Sequence, residues 1–163
     1  MRVNTGGLGV VERPTQQPLE IARVADMLQA FKDEHPDLSL WLEPGRFLVA
    51  RASVLVSQVT QIKHKQGVVY IGIGTGFNSL IRPTLYGAYH HIVNLTRLPN
   101  REGPFVHAEI VGPICETGDV FGHARRVHES AEGDVLLIAT TGAYGRSMSS
   151  HYNLRDPAEE VWV

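Results

Sequence analysis

The stretch from Phe47 to Gly74, FLVARASVLVSQVTQIKHKQGVVYIGIG, decides the fold. β-Branched residues crowd both sides of a short break at KHKQG, the pattern of two strands joined by a hairpin turn. Downstream the same grammar continues, with strands expected over 92–97, 106–111, 134–140 and 159–163 between punctuation such as LPNREGP and ESAEGD. Upstream the grammar changes. MRVNTGGLGVVERP is a strand tip that breaks into glycines and a proline, and from Pro18 to His35 the apolar residues Ile21, Val24, Ala25, Leu28 and Phe31 recur at three- and four-residue steps. HPDLSLWLEPGR then stops that helix at a proline and starts a short apolar strand, Leu38 to Leu42, which ends in Glu43, Pro44, Gly45 and Arg46. The chain therefore divides near residue 48. Residues 1–48 form an α/β segment with the order of a βα repeat, and 49–163 form a β-rich domain.

Bulk properties narrow the function. The 163 residues are 43% hydrophobic, enough for a packed core. A formal charge of -2 and a pI near 6.4 give no field that gathers phosphate backbones or an anionic membrane surface, and no basic cluster exceeds HARR at 123–126. Neither nucleic acid nor a membrane is an expected partner. The single cysteine, Cys115, rules out an internal disulfide and a thiolate zinc cluster, and no leader-like region or apolar run of roughly 18 residues is present. A cytoplasmic location is expected. No metal is expected either, because none of the eight histidines has metal-site spacing. In the adjacent pair His90 and His91 the side chains diverge if the segment is extended.

Several short segments carry candidate chemistry. In EPGR a carboxylate and a guanidinium sit at the C-terminal end of a strand, where α/β barrels place their chemistry, although a turn with a surface ion pair reads the same way. TGGLG offers bare backbone N–H groups to a phosphate, or is a plain glycine turn. IRPTLYGAYHH sets Arg82 before a proline and Tyr86 four residues later, a cationic fork and a phenol for one anionic ligand. TTGAYGRSMSSHYN places Tyr144 in a small-residue segment. GPICETGD sets Cys115 beside Glu116, with Asp119 three residues on.

In order along the chain, TGGLG, LEPGR, IRPTLYGAYH, GPICETGD and TGAYGRSMSSHYNLRDPAEEV resemble the diaminopimelate decarboxylases, pyridoxal 5'-phosphate enzymes that form L-lysine and CO2 from meso-diaminopimelate. The resemblance covers nearly the whole chain. It implies the last βα portion of a TIM-type barrel followed by a mostly antiparallel β-domain, a sandwich or Greek-key barrel. It also gives the residues tasks: Glu43 faces the cofactor's ring nitrogen, and Gly6, Gly7, Gly45 and the Tyr144 hydroxyl hold its phosphate. Arg46, which also lies beside the cofactor, joins Arg82, Tyr86 and Tyr144 around the substrate, and Glu116 takes the distal ammonium. Cys115 becomes the proton donor, and a homodimer with shared active sites is implied.

The chain also departs from the family. The barrel half that carries the cofactor-linking lysine is missing, and the three lysines here, Lys32, Lys63 and Lys65, lie on a polar helix face and beside a hairpin turn. Turnover by this chain alone is not expected. A partial barrel is expected to leave apolar surface uncovered, and a sheet edge is expected at EVWV. Two other readings remain: a non-catalytic dimerisation or regulatory module of the same fold, and a decarboxylase of a carboxylated polyamine.

Overall fold

The computed structural model describes residues 2–98 and 103–163, so the centre of the LPNREGP punctuation, Pro99 to Glu102, lies outside the described residues. The chain opens with β1 (Arg2–Gly6), crosses through a loop and α1 (Ile21–Glu34), and returns as β2 (Ser39–Glu43). β1 and β2 pair in parallel with Gly6 opposite Glu43, which makes the segment a βαβ unit. Lys32 secures the end of α1 by donating to the carbonyls of Pro36 and Leu38. The expected apolar stripe of the helix has little to pack on: Val24, Leu28 and Phe31 are half-buried, and Ile21 is exposed. One helix and two strands do not supply a second layer, so this unit contributes nothing to the buried core.

The β-rich part follows α2 (Gly45–Val49) and a 3-10 turn over Ala50–Ala52. β3 (Leu55–Lys65) and β4 (Val68–Ile73) are the expected hairpin, joined by Gln66 and Gly67 at φ of 53° and 79°, the positive angles that a tight hairpin turn demands at both positions. Next come α3 (Arg82–Tyr86), β5 (Ile92–Asn94), β6 (Phe105–Val111), β7 (Val120–His128) and β8 (Val135–Ile138). The sheet order is β5-β8-β3-β4-β6-β7, and each neighbouring pair is antiparallel except β4 and β6. Edge strands β5 and β7 come into contact, so the mixed sheet nearly closes into a barrel. It is one curled sheet and not a sandwich. Val59, Ile71, Ile73, Leu80, Ile110, Phe121, Leu136 and Ile138 fill its interior, each worth about 1.5–3 kcal/mol of burial.

Two sequence expectations are corrected. β7 was not among the expected strands, because its HARR segment reads as a charge cluster. Both charges stack on aromatic rings: the half-buried Arg125 guanidinium, whose Nε has no hydrogen-bond partner among the described residues, lies 3.8 Å from the Tyr89 ring centre, and that of the exposed Arg126 lies 3.7 Å from Phe105. Conversely, 159–163 is not a strand, since it has no ladder partner and Val161, Trp162 and Val163 are exposed. The tail leading to it is pinned instead by Asn78, whose amide donates to the carbonyls of Ser150, Arg155 and Asp156 at 3.4, 3.1 and 3.3 Å.

Candidate functional site

Two strand ends and one short helix build the first part of the site. Because Gly6 pairs with Glu43, the glycine loop and the EPGR turn leave the small sheet side by side. Gly7 follows at φ +86°, a conformation that favours glycine, and the space where its Cβ would stand is open. Gly45 begins α2 directly after Pro44, again with nothing against its missing side chain. EPGR is thus a strand end running into one helical turn, which carries Arg46 out over the β-domain.

Arg82 and Tyr86 occupy the two ends of α3, four residues apart and on one face. The two arginines, distant in sequence, converge on one acceptor. Arg46 Nη1 lies 3.0 Å and Arg82 Nη2 3.1 Å from the same carboxylate oxygen, Glu12 Oε1. Glu12 is held in place by a local clasp, in which the Gln16 side-chain oxygen accepts from the Glu12 and Arg13 amides at 2.8 and 2.9 Å. Around these groups opens a cleft of about 660 Å³ whose lining includes Glu12, Arg13, Arg46, Arg82, Tyr86, Tyr89, Tyr144 and Met148. Three guanidiniums against one carboxylate make it an anion-seeking surface. A cleft of similar size, about 620 Å³, runs between the glycine loop and α1, but its lining is largely apolar and holds none of the expected site residues.

Tyr144 reaches this cleft from the far end of the chain through a close backbone approach. The Gly142 and Thr141 amides donate to the Ala50 and Ser53 carbonyls, each at 3.0 Å, and a Cβ on Gly142 would fall 2.0 Å from the Val49 carbonyl oxygen. Only glycine permits that contact. Tyr144 itself sits at φ 62°, a left-handed conformation that costs a bulky residue of order 1–3 kcal/mol, and its ring is half exposed. The strain is spent where the cleft is.

Cys115 and Glu116 do not line the cleft. Their turn is shaped by Asp119, a buried carboxylate that accepts from the Phe77 and Ile114 amides, each at 2.7 Å. Burial pushes the Asp119 carboxyl above its ordinary range, and these two hydrogen bonds only partly offset it. The Thr84 hydroxyl on α3 donates to the Gly118 carbonyl at 2.6 Å, which ties the turn to the helix bearing Arg82 and Tyr86. Cys115 is an exposed free thiol, and Glu116 Oε2 accepts from the Tyr152 hydroxyl at 3.3 Å. The structure thus gathers Arg46, Arg82, Tyr86 and Tyr144 in one cleft, places Gly6, Gly7, Glu43 and Gly45 together at adjoining strand ends, and leaves Cys115 and Glu116 on a separate exposed turn. Sequence reasoning missed Glu12, Tyr89 and Tyr152. Nothing local marks them, since each acquires its contact from a segment distant in sequence.

The cleft and its curled sheet define a class. Residues 23–142 match the C-terminal sheet domain of the pyridoxal-dependent decarboxylases, and the chain belongs to that family. Among its relatives, the diaminopimelate decarboxylase of Aquifex aeolicus (strain VF5) is 41% identical over 158 residues, covering 97% of this chain and 37% of the relative. That of Methanothermobacter thermautotrophicus is 42% identical over 164 residues, 97% of this chain and 38% of the relative. Among solved structures, AQ1208 from Aquifex aeolicus superposes with a TM-score of 0.88 at 39% identity, over 96% of this chain and 38% of that one. Diaminopimelate decarboxylase from Helicobacter pylori complexed with L-lysine gives 0.80 at 33% identity, over 93% and 36%. The chain therefore spans less than two fifths of the length of each of these relatives.

Proposed function

We propose that the chain is the C-terminal portion of a pyridoxal 5'-phosphate-dependent diaminopimelate decarboxylase, converting meso-diaminopimelate to L-lysine and CO2. In this reading residues 1–48 are the last βα portion of a TIM-type barrel and 49–163 the β-domain that completes the site. The observation that carries it is the convergence of Arg46 and Arg82 on one carboxylate oxygen inside a cleft also lined by Tyr86 and Tyr144. Two guanidiniums and a phenol are the donors a substrate carboxylate needs, and the Glu12 carboxylate marks the place.

The residues present suit part of the cofactor. The open approach at Gly7 and Gly45 and the half-exposed Tyr144 hydroxyl supply donors for a phosphate, and Glu43 beside Gly6 supplies a carboxylate for a ring nitrogen. Bound there, pyridoxal phosphate supplies the sink for the electrons left when CO2 departs. A covalent tether does not come from this chain: Lys32 caps α1, and Lys63 and Lys65 lie exposed on β3. The chain's own contributions are to hold the substrate carboxylate with Arg46, Arg82 and Tyr86, to keep the ring nitrogen protonated with Glu43, and to deliver a proton from the Cys115 thiol to the carbon that has lost CO2. Glu116 pairs with the distal ammonium and so favours one stereocentre. Because Cys115 and Glu116 lie off this chain's own cleft, they serve the site of a second subunit in a homodimer. The enzyme works in the cytoplasm.

Titrating L-lysine and meso-diaminopimelate into the full chain, followed by chemical shifts of the arginine side chains, tests the reading. Binding that perturbs Arg46 and Arg82 and is lost in Arg82→Gln supports it. Binding that leaves both arginines unmoved would remove its basis.

A further inference from the structure

Arg82 is 6% exposed, and a guanidinium so buried needs an acceptor for each face it turns inward. One edge reaches Glu12 in the cleft through Nη2. The other does not face a carboxylate: Nη1 lies 3.1 Å from Nε2 of His90, a histidine that is 1% exposed. A guanidinium only donates, so Nε2 must accept. On the opposite side of the ring His90 Nδ1 lies 2.9 Å from the Ala139 carbonyl oxygen, which only accepts, so Nδ1 must carry the proton. Both contacts are satisfied together by one species alone, the neutral imidazole protonated at Nδ1.

We infer that His90, as the neutral Nδ1–H tautomer, is a positioning residue for carboxylate recognition: anchored on β8's far end through Ala139, it fixes Arg82 so that Nη2 points into the cleft. The inference rests on the reading of Arg82 as a carboxylate-binding residue. It assigns a task to the YHH segment that none of the cleft-lining groups performs, since His90 lies behind Arg82 and does not line the cleft. Its surroundings suit the task. The charged groups facing it are Arg82 from α3, Arg125 from β7 and Glu12 from the glycine loop; burial, then the two arginines, oppose an imidazolium, and against the Ala139 carbonyl and Glu12 they hold the ring below its ordinary titration range.

The test uses the full 163-residue chain. Long-range nitrogen–proton NMR at pH 7 should find His90 protonated at Nδ1 and bare at Nε2; a proton on Nε2, or on both nitrogens, overturns the inference. L-Lysine is the binding probe. His90→Phe, which keeps a ring and removes the acceptor, should weaken L-lysine binding about tenfold, whereas His90→Gln, which returns an acceptor near the Nε2 position, should stay within about threefold of the parent. The parent's affinity should hold from pH 8 to below 6.5 and fall in more acid solution as the imidazolium forms and repels Arg82, and that acid limb should vanish in His90→Gln. A His90→Phe chain that is less stable but binds L-lysine as the parent does, while Arg82→Gln does not bind, overturns the positioning role alone. Arg82→Gln binding like the parent would overturn the reading of the cleft as well.

Discussion

Replacing Asp119 by alanine should loosen the Cys115 turn and destabilise the fold by an amount the structure sets. The carboxylate is 3% exposed and accepts from two buried amides, Phe77 and Ile114, each at 2.7 Å. Orphaning a buried donor costs about 1–3 kcal/mol, so the two together cost about 2–6 kcal/mol. The alanine escapes the burial penalty that raises the Asp119 pKa, which brings the expected net loss to about 2–4 kcal/mol. Asp119→Asn keeps one acceptor and turns an NH2 toward the other amide, so it should lose about half as much. The pH dependence follows from the raised folded pKa. The carboxyl's contribution is complete below its unfolded value of about 3.9 and is lost as pH rises through the higher folded value, so the parent's advantage over Asp119→Ala should be larger in acid than at neutral pH. Urea unfolding followed by circular dichroism measures the loss, and hydrogen exchange at the Phe77 and Ile114 amides locates it. A variant within about 0.5 kcal/mol of the parent, with both amides still protected, would refute the argument.

Asp134 should behave in the opposite sense: burial raises its pKa, but hydrogen bonds from the Ala131 amide, Asn94 and Arg97 outweigh that and hold it below the ordinary carboxylate range, so its contribution is present above about pH 3.9 and is lost as pH falls through the lower folded value. Asp134→Asn should therefore flatten the acid limb of the stability profile. Glu12→Gln keeps the loop's shape but removes the charge on the arginines, and it should raise affinity for L-lysine about threefold; a fall would mean that Glu12 orders the arginines and does not compete for them. Gly142→Ala should displace Tyr144 by driving a Cβ onto the Val49 carbonyl, visible as lost L-lysine binding with the sheet's circular dichroism intact. The isolated chain, with Met27, Trp41 and Leu48 exposed at 66%, 53% and 69%, should pair or aggregate, and light scattering that finds a cooperatively folded monomer would contradict this.

The parts of the fold that could be read from the sequence were those whose signal is local. α1 announced itself by apolar spacing, and the β3–β4 hairpin by β-branched runs around Gln66-Gly67, because both depend on neighbours along the chain. β7 did not, since HARR becomes strand through its ladder with β6, and the rings that stack on its arginines, Tyr89 and Phe105, come from segments distant in sequence. The segment 159–163 erred the other way: Val161, Trp162 and Val163 look like strand, but a strand needs a ladder partner, which no local pattern supplies. In the site, Arg46, Arg82, Tyr86 and Tyr144 were recognisable from motifs. Glu12 and His90 were not, although the divergence expected of His90 and His91 holds, one buried and one exposed. Their roles arise from contacts bridging 70 and 8 residues to Arg82, and from the Ala139 carbonyl 49 residues away.

We propose that this chain supplies part of a decarboxylase site whose cofactor-linking lysine comes from a barrel half outside these 163 residues. The direct test is CO2 release from meso-diaminopimelate with added pyridoxal phosphate, measured for the chain by itself and co-expressed with a barrel half that carries the cofactor-linking lysine. Release should come only from the complemented sample and should be lost on Cys115→Ala. A soluble complex that releases no CO2 would contradict the proposal and turn the assignment toward a non-catalytic module or a carboxylated polyamine substrate.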